Sequence, residues 1–379
     1  MSMPSPIRIV ELGDSRRDLD RFWRVMLGIS GREPACVLPL GVEVAKVLGP
    51  ENPFWSHARR RLWIAERDGK PVGRIAGIID DAHQRAHADR MGFFGFFESV
   101  DDPAVATALF GAAMDWARAQ GCDRMRGPMN PSINEECGVL VSGFERSNAV
   151  MMPHSPPHFP RLIEGAGFAK AKDLVGFDIA LADCPAEWLT RFRAAAARRA
   201  KNVRLVGVNP GNLGSLLPSL KEIYNAAWER NWSAVPMTPG EIDFLAERLK
   251  PLLLDGLVWL AEVDGKAAGL LLAVPDVNEA LKPLRGQLLR PALLGALPVL
   301  LGWRRPRCFR LVALGVKAEH RGRGIEGMMF AETLAAARRL GFERCEASWV
   351  LEDNRPVHQL AAVFHGRIVQ TFRIYDRAL

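Results

Sequence analysis

The feature that most restricts how this chain can fold is a hairpin it uses twice. Trp63-Ile-Ala-Glu-Arg-Asp-Gly-Lys-Pro-Val-Gly73 returns 196 positions later as Trp259-Leu-Ala-Glu-Val-Asp-Gly-Lys-Ala-Ala-Gly269, and each copy runs on to an aspartate, Asp80 or Asp276. Apolar residues around an Asp-Gly pair predict two strands joined by a tight turn. The flanks repeat too. Phe93 to Glu98 predicts a strand, Pro103 to Gln120 a helix stopped by Gly121, and Asp123 to Gly127 a strand. Phe309 to Lys317, Gly324 to Leu340 with Gly341, and Arg344 to Val350 repeat that order. Each half then has a helix and a glycine, Phe159 to Gly167 and Val357 to Gly366. The halves close on Phe177-Asp-Ile-Ala-Leu181 and Tyr375-Asp-Arg-Ala-Leu379. A repeat of this length predicts two domains of one α/β fold, each a mixed, mostly antiparallel sheet flanked by helices. The expected division is 1–183, a basic linker helix within 184–205, and 206–379, which suits a chain of 379 residues.

Only the second half carries a turn suited to phosphate. The apolar run Leu311-Val-Ala-Leu-Gly-Val-Lys317 breaks into Ala-Glu-His320-Arg-Gly-Arg-Gly-Ile325 and then into a helical pattern. Gly322 and Gly324 can take backbone angles that let successive N–H groups converge at the positive end of that helix. Arg321 and Arg323 add positive charge. The first half has Ser99-Val-Asp-Asp-Pro103 at the equivalent place, acidic and without glycine, so one working site is expected, in the C-terminal half. The turn is neither a P-loop nor a Gly-x-Gly-x-x-Gly fingerprint.

It resembles the acyl-CoA pyrophosphate loop of the GNAT acyltransferase superfamily, here Arg321-Gly-Arg-Gly324-Ile-Glu326, with Glu326 where a small residue is usual. Further blocks are Gly92-Phe-Phe-Gly-Phe-Phe-Glu98, Asn134-Glu-Glu-Cys-Gly138, Asn231-Trp232 with Pro236-Met-Thr238, and Glu346-Ala-Ser-Trp349 with Leu351-Glu-Asp-Asn354. Together they resemble two-domain GNAT proteins of the group that includes bacterial ceramide synthases. The resemblance implies two tandem GNAT-like domains and an acyl-CoA co-substrate, with no metal. It also implies N-acylation of a sphingoid long-chain base, such as 3-oxosphinganine, to a ceramide. The strand N–H groups from Leu314 to Val316 would face pantetheine and the thioester, and Arg321, Gly322, Arg323, Gly324 and Ile325 would hold pyrophosphate. Asn354 would lie near pantetheine. Ala361 stands where the family often has a tyrosine acid. Among nearby proton carriers (Glu346, Glu352, Asp353, His358, Tyr375), Glu352, Asp353 and His358 are the expected catalytic set. Asn134, Glu135, Asn231, Trp232 and Trp349 are the candidates for the acceptor site. The alternatives are a non-catalytic acyl-CoA-binding sensor and an N-acetyltransferase of a small amine.

Leu288 to Trp303 is an apolar insertion in the second half, within 281–308, and Arg304, Arg305, Arg307 and Arg310 follow it. It is too short to span a bilayer. Three readings stay open: an interfacial segment giving peripheral membrane contact through 288–310, a wall for a long acyl chain, or a core helix. The net charge of +7 suits an anionic ligand or a membrane surface, and no interleaved aromatic and basic motif points to nucleic acid. The six cysteines show no zinc or disulfide spacing, and Met1 to Val10 lacks the apolar core of a secretion signal. A cytoplasmic protein, peripheral on the inner membrane, is expected.

Overall fold

The computed structural model describes residues 5–229 and 231–379; residues 1–4, the start of the segment Met1 to Val10, and Arg230 lie outside the described residues. The chain divides into two compact units, one of residues up to Leu174 with Leu281–Ala296 and Gln370–Leu379, the other of Val175–Ala280 and Leu297–Val369.

The first unit begins with β1 (Arg8–Leu12), α1 (Arg16–Gly28) and α2 (Gly41–Leu48), followed by the hairpin β2 (Ala58–Arg67) and β3 (Lys70–Asp80). Next come α3 (Asp81–His87), β4 (Met91–Ser99), α4 (Pro103–Ala119) and β5 (Arg124–Gly127). Three short strands, β6 (Met129–Asn130), β7 (Glu136–Cys137) and β8 (Val139–Ser142), precede α5 (Phe159–Gly165) and β9 (Ala169–Ala180). The sheet runs β1-β2-β3-β4-β5, antiparallel except that β4 and β5 pair in parallel through Phe93 opposite Arg126.

The second unit repeats this plan with α6 (Ala186–Arg199), β10 (Val203–Gly207), α7 (Leu213–Trp228), α8 (Pro239–Leu249) and the hairpin β11 (Val258–Val263) and β12 (Lys266–Pro275). In chain order then follow α9 (Asn278–Leu281), α10 (Leu293–Leu300), β13 (Cys308–Val316), α11 (Ile325–Arg339), β14 (Arg344–Leu351), α12 (Arg355–Val363) and β15 (Arg367–Ala378), of which α10 up to Ala296 and β15 from Gln370 belong to the first unit. Its sheet runs β10-β11-β12-β13-β14, with β13 and β14 the parallel pair. The core forms where Leu271, Ala273 and Phe309 of the sheet meet Met329, Phe330 and Leu334 of α11. These helical residues share a face because their spacing follows the 3.6-residue turn.

The two tandem α/β units match the fold expected from the repeat, but the boundaries expected at 183 and 206 differ from those of the compact units. The segment 184–205 is not a linker. Trp188 and Phe192 of α6 stack at 5.2 Å, Phe192 meets Phe364 at 4.9 Å, and both pack on the second unit's core. The closing strands are also exchanged. Phe177 and Ile179, from the end of the first copy, pack into the second unit, where Asp178 accepts from Arg344 at 2.6 Å. Tyr375, from the end of the second copy, lies opposite Gly127 of β5 in the first unit. The insertion expected within the second domain is divided as well. Its start, Leu281–Ala296, belongs to the first unit, where Lys282 Nζ donates to Ser147 Oγ at 2.9 Å and Arg285 to the Gly31 carbonyl.

Candidate active site

The site grows from two parallel strands that part company. β13 and β14 stay in register from Cys308 opposite Arg344 to Leu311 opposite Ala347, and there the pairing stops, although the strands continue to Val316 and Leu351. A bulge marks the same point. Leu272 of β12 faces Ala313 and Ala273 faces Leu311, leaving Val312 as the extra residue of β13. Beyond Leu311, the backbone groups on that edge of β13 have no partner on β14 among the described residues. Just before the parting, Arg310 and Glu346 face each other in register and buried, 3.7 Å apart, and Arg310 also donates to the Ser348 carbonyl at 3.2 Å. This pair ties the strands together below the opening.

A cleft of about 100 Å³ fills the gap. Leu311 to Leu314 and Ala347 to Leu351 form two of its walls, Phe177, Trp228 and Phe330 add aromatic surface, and Asn231 and Asn354 supply polar groups. Asn354 also caps α12, its side chain accepting from the Val357 N–H at 3.5 Å.

The end of β13 leads into the glycine turn. Gly322 and Gly324 have φ of 76° and 80°, left-handed values that residues with a Cβ reach only at a cost of about 1–2 kcal/mol. Gly324 is the N-cap of α11 and offers no side chain to it. Among the described residues, the N–H groups of Gly322, Arg323, Gly324 and Ile325 have no backbone partner. Unpaired amides at the positive end of a 15-residue helix form an anion-binding concavity. Both arginines brace this turn. Arg321 donates to the carbonyls of Val316 at 3.1 Å and Ala227 at 2.9 Å, and Arg323 donates to the Lys201 carbonyl at 2.7 Å.

The equivalent place in the first unit is closed twice over. Past Phe93, β6 lies against β4 so tightly that a Cβ on Gly95 would sit 1.7 Å from the Met129 carbonyl oxygen, while Asn130 accepts from the Phe96 N–H at 2.6 Å. The helix after the strand caps itself. Asp102 accepts from the Ala104 N–H at 2.8 Å and from Arg67 at 2.8 Å, and Pro103 has no N–H to offer. The Arg67 bond holds the Asp102 carboxyl below the usual carboxylate range. A helix start that already carries its own carboxylate does not recruit another anion.

A splayed parallel pair, a bulge at the parting and free amides at the next helix are what a thioester linked to a diphosphate requires. A family model described as "Acetyltransferase (GNAT) family" matches residues 217–366, which contain all three. The chain is 36% identical over 376 residues to the bacterial ceramide synthase of Caulobacter vibrioides (strain NA1000 / CB15N), covering 96% of this chain and 95% of that protein. It belongs to the GNAT acetyltransferase family. It is thus an acyltransferase of GNAT type, taking acyl-CoA as co-substrate and an amine as acceptor. A second relative is Protein YghO of Escherichia coli (strain K12), 30% identical over 374 residues, with 96% and 94% of the two chains covered. Among solved structures, a tandem GNAT protein from the clavulanic acid biosynthesis pathway aligns over 98% of both chains with a TM-score of 0.60 and 12% identity. A GCN5-related N-acetyltransferase from Sphaerobacter thermophilus aligns over 99% of this chain and 96% of its own with a TM-score of 0.55 and 13% identity. These two likenesses bear on the fold alone.

Of the residues expected in the GNAT site, Leu314, Asn231, Asn354 and Trp349 line the cleft, and the Arg310 guanidinium lies 5.3 Å from the centre of the Trp349 ring. The Val316 side chain turns into the core, and its backbone lies beyond the parting of β13 and β14. Trp232 is half-buried and outside the cleft lining. Asn134 and Glu135 belong to the first unit, in the loop between β6 and β7, where both N–H groups are held by Ser132. Glu352 and Asp353 sit exposed on the turn after β14 and do not line the cleft. His358 lies one turn into α12. Its Nε2 is 3.1 Å from the Leu351 carbonyl, which can only accept, so Nε2–H is the donor in that bond. The His358 ring packs edge-on at 5.3 Å against Phe177, a cleft residue. Tyr375 belongs to the first unit and donates to Glu164 at 2.9 Å. Sequence reasoning missed Trp228, Phe177, Ile179, Phe330 and Leu360, which come from four separate elements. It also missed the Arg310–Glu346 pair as a strand tie, though a charge inside each of two apolar strands was a usable signal.

Proposed function

We propose that this protein transfers a long acyl chain from acyl-CoA to the nitrogen of a lipid amine of the sphingoid class, such as 3-oxosphinganine, forming a ceramide. The observation that carries the reading is the cleft at the parting of β13 and β14, walled by Leu311, Leu314, Phe177, Trp228, Phe330 and Leu360, with the glycine turn following on the same strand. The lining joins aromatic and aliphatic side chains to the open backbone of the parted strands and to Asn231 and Asn354, which suits a substrate with an apolar body and a polar end. The named relative adds support.

In this reading the amides from Gly322 to Ile325 hold the diphosphate, and Arg321 acts by bracing the turn. The unpaired edge of β13 beyond Leu311 turns N–H groups toward the thioester carbonyl, where negative charge develops as nitrogen attacks. Asn354 orients the pantetheine arm. The acceptor ammonium must first lose a proton. His358 is the expected proton carrier held against a cleft residue, and Nδ1 is the atom that would take the proton, with Glu352 and Asp353 stabilising the charge it gains. The products are an amide and the free thiol of CoA.

The test is turnover with palmitoyl-CoA or acetyl-CoA, each offered 3-oxosphinganine or a small polar amine, followed by thiol release and by mass of the amide. Long-chain amide should form only with the lipid amine. Gly324→Val should raise the KM for acyl-CoA about 10-fold, a change equivalent to the left-handed penalty. His358→Gln should lower kcat about 100-fold with little change in KM. Transfer of acetyl but not palmitoyl groups would defeat the lipid assignment.

A further inference from the structure

Six of the nine large apolar side chains exposed among the described residues lie between Leu288 and Trp303. Leu289 is 101% exposed, Trp303 79% and Leu294 74%, values that core packing or a tunnel wall cannot produce. In α10 only Ala296 is buried. A surface this apolar is uncommon on a protein that meets only water, and it marks a face with a partner.

The charges beside it say which partner. From Ala280 to Ala318 the sequence contains no aspartate or glutamate. Arg290, Arg304 and Arg305 are exposed there, and among the described residues none of their guanidinium groups has a carboxylate partner, whereas at Arg307 the Glu279 carboxylate accepts from the backbone N–H at 3.1 Å. Apolar side chains at full exposure, edged by unneutralised arginine, suit a layer with hydrocarbon below and anionic groups at its rim. With eight residues, α10 is about 12 Å long, and no helix among the described residues is long and apolar enough to cross a membrane.

We infer that the segment from Leu288 to Arg305 docks this protein on an anionic lipid bilayer, with Leu289, Leu294 and Trp303 entering the acyl boundary and Arg290, Arg304 and Arg305 meeting lipid phosphates. This goes beyond acyl transfer and is read without turnover. Docking can therefore fail while transfer stands, and the reverse.

The full-length protein is floated with vesicles of phosphatidylcholine alone or with added phosphatidylglycerol, at low and high salt. It should float with the phosphatidylglycerol vesicles, less so at high salt. Leu289→Ser, Leu294→Ser and Trp303→Ser together should cut the bound fraction at least about tenfold while leaving the circular dichroism spectrum unchanged. Arg304→Ala with Arg305→Ala should remove the dependence on phosphatidylglycerol. Three outcomes would overturn the inference: no flotation with either vesicle, flotation of the triple serine variant equal to the parent, or a parent dimer that the serine variant dissolves into monomers. The last would mean that a second copy of the chain covers this face.

Discussion

At the scale of single residues, the two units spend buried charge in different ways. In the second, Arg310 and Glu346 sit where β13 and β14 begin to part. In the first, Glu98 is buried with Arg74 at 3.7 Å and accepts from Ser30 Oγ at 2.6 Å, while Arg74 donates to the Phe22 carbonyl at 3.1 Å. Burial outweighs these partners. It raises the Glu98 carboxyl to about 7 and lowers the Arg74 guanidinium to about 10. The sign of the linkage follows. Folded Glu98 holds its proton where the unfolded chain, near its ordinary value of 4.5, has lost it. Its contribution is therefore complete below about pH 4.5 and falls away as pH rises through about 7, by roughly 3 kcal/mol in all. Urea unfolding across that range should show the decline in the parent, and Glu98→Gln, which mimics the neutral acid, should flatten it. An equally steep decline in the variant would place the effect elsewhere.

At the scale of elements, the exchange of closing strands makes a prediction that an arrangement of two self-contained repeats does not. Tyr375 is fully buried and pairs with β5, so Tyr375→Ala should cost about 3–5 kcal/mol, and the loss should fall on the first unit. Limited proteolysis in increasing urea should cut between β1 and β8 earlier than in the parent, with acyl-CoA affinity unchanged. A loss of acyl-CoA affinity with the first unit intact would show the strand serving the second. The exchange was hidden in the sequence because Phe177-Asp-Ile-Ala-Leu181 and Tyr375-Asp-Arg-Ala-Leu379 resemble each other closely enough to fit either sheet.

At the scale of the whole molecule, one fold appears twice and is equipped for anion binding once. The first unit fills its parting with β6 and caps its helix with Asp102; the second leaves both open. Calorimetric titration with CoA should therefore give one site per chain, weakened about tenfold by Gly324→Val. Two sites of similar affinity would contradict the closure of the first unit.

What the sequence determined by itself was set by local rules. The Asp-Gly hairpins, the helix opened by Gly324 and stopped by Gly341, and the glycine turn all follow from backbone sterics and periodic apolar residues that act over a few positions. The resemblance carried by Arg321 to Glu326 and the longer blocks pointed to the family by the same short-range signals. What only the tertiary structure decided depends on residues far apart in the chain. Those decisions are which sheet takes each closing strand, that α6 is core and not linker, and that Phe177, Trp228 and Phe330 meet in one cleft. They also include the outward turn of Leu289 and Trp303. Apolar periodicity says that a side chain seeks a partner, and only the folded chain determines which partner, or whether the partner lies outside the molecule.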